Sequence, residues 1–136
     1  MKAIRRYLRI APKKVNLVAD LVRGKPVEYA INLLKFIPKH AAKPMLDSIK
    51  SAVANAENNF KQKKSDLYIS KIVVNEGSTL KRSRPVSRGR SHPILKRTSH
   101  IVVEVAVKPG AEKVEKKVTK RTESAAKEKI TPKPKS

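Results

Sequence analysis

Apolar and polar positions change rhythm several times along this chain. Ile4, Leu8 and Ile10 alternate with Arg5, Tyr7 and Arg9, a period of two that predicts a short strand with a basic face. The period then lengthens. Val15, Val18, Leu21 and Val22 form one stripe of a helix running from Pro12, a residue suited to the first helical turn, to about Arg23, with Gly24 placed to end it. Pro26 opens a second helix with Val27, Ala30, Ile31 and Leu34 on one side, and Pro38 stops it. From about Ala41 to Phe60, Met45, Ile49, Ala52, Val53, Ala56 and Phe60 fall at helical spacing with alanines between them, predicting the longest helix.

Beyond Lys64 the pattern becomes strand-like. Leu67–Val74 and Ile101–Val107 are rich in β-branched residues, and pairing them as antiparallel neighbours under the three helices is the most economical arrangement. The expected fold is α+β: three helices on an antiparallel three-stranded sheet. The 26 residues from Asn75 to His100 then need an explanation, because unstructured loops beyond roughly 12–15 residues are uncommon in compact domains. Thr79, Leu80, Val86, Ile94, Leu95 and Thr98 can extend two arms of a protruding β-hairpin, and Ser87 to Arg90, with Gly89 free to take positive φ, supplies a turn. Pro85 and Pro93 cannot donate ladder hydrogen bonds, so the distal part is expected to be irregular and poorly paired. Eleven or so residues per arm reach on the order of 35 Å, beyond a body whose radius of gyration is near 13 Å.

Charge sharpens this picture. The 136 residues carry 33 Lys plus Arg against 11 Asp plus Glu, a net charge of +22. Residues 1–76 hold 16 basic and 6 acidic side chains, residues 77–103 hold 7 and none, and residues 104–136 hold 10 and 5. The middle block is therefore unopposed positive charge. A polyanion is its natural partner, and nucleic acid is the default one. The absence of Cys removes disulfides, Cys-zinc sites, iron–sulfur clusters and thiol nucleophiles, and fits a reducing compartment. Arg5, Arg6 and Arg9 interrupt the first apolar residues, and no apolar run of spanning length occurs, so a soluble cytoplasmic protein without membrane insertion is expected.

Five of the seven cations in the middle block are Arg, which stays charged when desolvated and forks onto phosphate oxygens. Nine of ten in residues 104–136 are Lys, better suited to diffuse attraction. No aromatic residue follows Tyr68, which argues against base-stacking platforms, and a basic β arm is not a helix-turn-helix reader. The expectation is recognition of the shape and phosphates of a folded RNA. His40, His92 and His100 do not fall at ligand spacing with Asp or Glu, and Ser99 and His100, adjacent in a strand, point to opposite faces. No enzyme activity, metal or cofactor is expected. Asn55, Asn58 and Asn59 either help end the third helix or face RNA.

Four segments carry a specific resemblance: LRIAPKKVNLVADLVRGK at Leu8–Lys25, SAVANAENN at Ser51–Asn59, the NEG of Asn75–Gly77 with LKR at Leu80–Arg82, and PVSRGRS at Pro85–Ser91 with KRTSHI at Lys96–Ile101. In that order the chain resembles the bacterial-type large-subunit ribosomal protein twenty-two family from about Ala3 to Val107. The resemblance implies a long hairpin inserted into large-subunit rRNA, support for rRNA assembly, and a hairpin tip at the wall of the nascent-peptide exit tunnel. Carried over by position, it implies rRNA contacts from Lys81, Arg82, Arg84, Arg88, Arg90, Lys96, Arg97 and His100, with Arg9, Lys13 and Lys14 adding contacts from the body. The tip, Val86, Ser87, Arg88, Gly89 and Arg90, would approach the tunnel lumen. Implied partners are large-subunit rRNA, neighbouring large-subunit ribosomal proteins and the nascent peptide, with no homo-oligomer. Ala11 stands where the family has a capping Ser, at a cost of roughly 1 kcal/mol to the first helix. Val86 stands where Arg is common, so a tip arginine contact does not transfer to it.

The expected organisation is a domain over residues 1–107, with the hairpin at about 75–100, and a basic tail over 108–136 that is disordered or a marginal helix settling on RNA. A general architectural DNA binder of nucleoid type exploits the same charge and remains the alternative. A cationic membrane-surface protein would need a helix basic on one face and bulky-apolar on the other, which the pattern lacks.

Overall fold

The computed structural model of the chain describes residues 1–108. Chain order is β1 (Lys2–Leu8), α1 (Pro12–Val22), α2 (Val27–Phe36), α3 (Ala42–Phe60), one 3-10 turn (Lys64–Asp66), β2 (Leu67–Glu76), β3 (Leu80–Pro85), β4 (Ser91–Lys96) and β5 (Ser99–Val107). Three strands form a sheet in the order β1-β5-β2, while β3 and β4 form a separate two-stranded ribbon. The α+β architecture is as the sequence pattern predicts, and residues from Met1 to Ala106 cluster as one compact unit. The tail expected over 108–136 lies, apart from Lys108, outside the described residues.

The core follows from the periodicities. Val15, Val18, Ala19 and Val22 of α1, Val27, Ala30, Ile31 and Leu34 of α2, and Met45, Ile49, Ala52, Val53 and Ala56 of α3 are buried. Beneath them Ile101, Val103 and Val105 of β5 alternate with half-buried neighbours, the period-two signature of a sheet covered on one face. α3 packs on β1, α1 and α2, and α1 packs on β2. Lys61, at φ 51°, ends α3, its N–H bonding to the carbonyls of Ala56 and Glu57. The nearby asparagines do not provide this stop. Asn55 instead donates from Nδ2 to the Lys2 carbonyl at 3.2 Å, tying α3 to β1.

Two expectations require correction. The alternation in β1 runs in the opposite phase: Ala3 is buried and Ile4 is 49% exposed. The pairing with β5, antiparallel from Lys2↔Glu104 to Arg5↔Ile101, shifts before Leu8↔Ser99. At that bulge Tyr7 takes φ 54°, its N–H donates to His100 Nδ1 at 3.0 Å, and the two rings meet edge to face at 4.8 Å. The extra residue resets which side chains face inward, so Ile10 is buried just past the strand. Leu21, expected in the α1 stripe, is 49% exposed, and Ala19 occupies the inward position.

Candidate nucleic-acid interface

A third correction concerns the hairpin and defines the interface. Rather than losing order distally, β3 and β4 pair without interruption from Leu80↔Lys96 to Pro85↔Ser91. The prolines are compatible because of where they fall. Val86 N–H donates to the Arg90 carbonyl at 2.9 Å, which makes that opposed pair a hydrogen-bonded one. Counting back through the register, Pro85↔Ser91 and Ser83↔Pro93 are both non-hydrogen-bonded pairs, at which the backbone nitrogen points away from the partner strand. Neither proline removes a ladder bond. Both instead blunt the ribbon's outer edges.

The same register sorts the side chains. Opposed residues share a face and successive residues alternate, so Leu80, Arg82, Arg84, Ile94, His92 and Lys96 lie on one face, with Arg90 next in phase. The other face carries Ser83, Pro85, Ser91, Pro93 and Leu95, with Lys81 as its one cation within the paired strands. Charge is thus concentrated on one side of a ribbon whose residues 80–97 are all exposed. The ion pairs of the body, Arg5–Asp47 at 3.3 Å and Arg23–Asp20, reach none of these cations. At the tip Arg88 and Gly89 both have positive φ, 59° and 65°, as tight hairpin turns require, and Arg90 N–H donates to the Ser87 carbonyl.

The ribbon joins the body through a compact knot. Gly77 N–H donates to the Thr98 carbonyl at 2.9 Å, and the buried Thr98 donates through Oγ1 to the Ser78 carbonyl at 2.7 Å. A Cβ on Gly77 would collide with Thr98 Oγ1, so any larger residue at this crossing displaces the Thr98 side chain. Beside the knot is a cleft of about 410 Å³ lined by Arg9, Leu80, Arg82, Lys96, Arg97 and Thr98. The ribbon's cationic face therefore turns, at its base, toward Arg9 of the body. Four cations and no carboxylate around one concavity repel one another until an anion enters.

Of the sequence-predicted residues, Arg9, Arg82, Lys96 and Arg97 are brought together at this root. Arg84 and Arg90 continue the same face, Arg88 occupies the turn, and Lys81 points the other way. Lys14 joins Arg9 at a second, larger cavity on the body, which Lys13 does not line. The Nδ1 atom of His100 is engaged by the β1 bulge, leaving its other edge toward Gly77. The structure adds Lys39 and His40, which the α2–α3 connection carries to the cavity shared by Arg9 and Lys14. Their signal in sequence is two cation-capable residues directly after the helix-stopping Pro38, legible only once the fold folds that corner back onto α1. Among the described residues no group of three or more His, Cys, Asp or Glu converges as a metal site would require.

A family model described as Ribosomal protein L22p/L17e matches residues 3–106, spanning body and ribbon alike. The chain belongs to that family. It is 53% identical over 106 residues to the large ribosomal subunit protein uL22 of Lactobacillus delbrueckii subsp. bulgaricus, covering 77% of this chain and 90% of the relative. The protein of the same name from Clostridium novyi is 51% identical over 104 residues, with 76% and 94% covered. That from Pediococcus pentosaceus is 53% identical over 107 residues, with 79% and 91% covered. This L22p/L17e family is one of ribosomal structural proteins, not of enzymes.

Proposed function

We propose that the chain is a structural constituent of the large ribosomal subunit, working in the cytoplasm as part of the ribosome. It binds large-subunit rRNA through the root cleft and the cationic face of the ribbon, supports rRNA assembly, and carries the tip Val86–Arg90 to the wall of the nascent-peptide exit tunnel. Neighbouring large-subunit proteins and the passing nascent peptide are its other partners, and it acts as a single copy. The observation that carries the reading is the one-sided array of Arg82, Arg84, Arg90 and Lys96 on an exposed ribbon, continuous with Arg9 at the root and unopposed by acid. Such an array gains far more from phosphates closing around it than from water. Among the described residues no helix is long and apolar enough to cross a membrane.

Competition binding tests the reading: a large-subunit rRNA transcript should displace the protein from bulk duplex DNA, and the protein should remain with large subunits after a high-salt wash. Equal affinity for rRNA and any duplex would favour an architectural nucleic-acid binder instead. Salt dependence by itself does not separate the two, since both rest on phosphate contacts. Deleting Val86–Arg90 should leave the protein folded and incorporated while altering the tunnel, because those residues lie beyond the paired strands. Incorporation lost as severely as on neutralising Arg82, Arg84, Lys96 and Arg97 would contradict this division of labour.

A further inference from the structure

We propose that the larger cavity on the body is a receptor for one unpaired nucleotide of RNA, with the base on an apolar floor and the phosphate beneath the cations at its mouth. The proposal rests on the rRNA-binding reading above and names the local RNA structure the body selects. The cavity, about 560 Å³, lies between the start of α1 and the α2–α3 connection. That volume is in the range of small-molecule sites and well beyond the needs of a single ion. Ile10 and Val18, 8% and 1% exposed, supply its floor, while Leu17 lines it at 68% exposure. Leu17 contributes nothing to the helix's own packing, because the inward stripe of α1 is already filled by Val15, Val18, Ala19 and Val22.

The charged lining identifies the occupant. The cations Arg9, Lys14 and Lys39 border the same cavity, with His40 beside them, and no Asp or Glu does. An aliphatic side chain from a protein partner would cover Leu17 and leave these cations unmatched. A lone phosphate would match the cations and leave the apolar floor wet. A nucleotide satisfies both, and only an unpaired one can present its base, since a base stacked within a duplex cannot leave it without cost. The N-terminus of α1 adds a second attraction for the phosphate. Its cap residue, Ala11, makes no side-chain cap hydrogen bond and its first turn holds no acid, so the positive end of the helix dipole is uncompensated beside Arg9 and Lys14. Arg9 also lines the root cleft, so a strand entering this cavity continues directly onto the cationic face of the ribbon.

The test titrates the full chain against a large-subunit rRNA transcript over a salt series, with dimethyl sulfate probing of the RNA, for wild type, Leu17→Gln and Lys14→Gln. Leu17 is exposed, so its replacement should leave the melting temperature unchanged. Leu17→Gln should weaken binding about fivefold or more at every salt concentration without altering the salt slope, and one unpaired base protected by wild type should regain reactivity. Lys14→Gln should lower the slope by about one. Leu17→Gln binding equal to wild type, or an identical base-reactivity pattern for the two, overturns the proposal while leaving rRNA binding intact. Wild type that does not distinguish rRNA from duplex DNA overturns the underlying reading and this proposal with it.

Discussion

In the body, Met45, Ile49, Leu67, Ile69, Ile101 and Val103 are fully buried; in the ribbon, every residue from 80 to 97 is exposed. The ribbon does not lack apolar residues. Leu80, Val86, Ile94 and Leu95 are 37%, 36%, 41% and 48% exposed, because two strands alone have no third surface to press them against. Charge divides the same way: residues 1–76 interleave acids with bases, and residues 77–103 hold none. The body is stabilised by contacts the chain makes with itself. The ribbon's shape is specified locally, by register, turn and root knot, and on the proposed reading rRNA supplies the surface that stabilises it.

The largest effect that would break this contrast is on binding. Replacing Arg82, Arg84, Lys96 and Arg97 together with Gln should lower rRNA affinity roughly a thousandfold at 0.1 M salt and flatten the salt slope by about three to four. The urea midpoint of the free protein should not fall, because no internal ion pair is lost. Next comes the reverse experiment: Met45→Ala should cost about 2–5 kcal/mol in urea denaturation, whereas Ile94→Ala on the ribbon should stay within about 0.5 kcal/mol. At the junction, Gly77→Ala forces Thr98 Oγ1 away from the Ser78 carbonyl and should cost about 1–3 kcal/mol, with rRNA binding weakened through the altered ribbon direction. The smallest change is a gain. Ser99 Oγ is buried without a hydrogen-bond partner, so Ser99→Ala should raise stability by about 1 kcal/mol and leave rRNA binding unchanged.

The body was largely legible in the sequence because burial imposes a period, and the three helices and the strand of Ile101, Val103 and Val105 declare theirs. The phase of β1 was not, because the bulge depends on Tyr7 taking positive φ against His100, a partner more than ninety residues away. Composition made the ribbon's chemistry plain, and Gly89 marked its turn. Its order is not legible in the sequence, because Pro85 and Pro93 read as ladder breakers until the register puts both at pairs that use no proline N–H. The convergence of Arg9 with Arg82, Lys96 and Arg97, and of Lys14 with Lys39 and His40, is a tertiary fact with no local pattern.

The central claim, that the ribbon has a fixed place only when RNA encloses it, is tested most directly by amide hydrogen exchange of the full chain with and without a large-subunit rRNA transcript. In the free protein the ladder amides of Arg82, Arg84 and Ile94 should exchange orders of magnitude faster than those of Ile49 and Ala52 in α3, and rRNA should slow the ribbon amides while leaving α3 unchanged. Ribbon amides protected as strongly as α3 in the free protein, and unaffected by rRNA, would contradict the account.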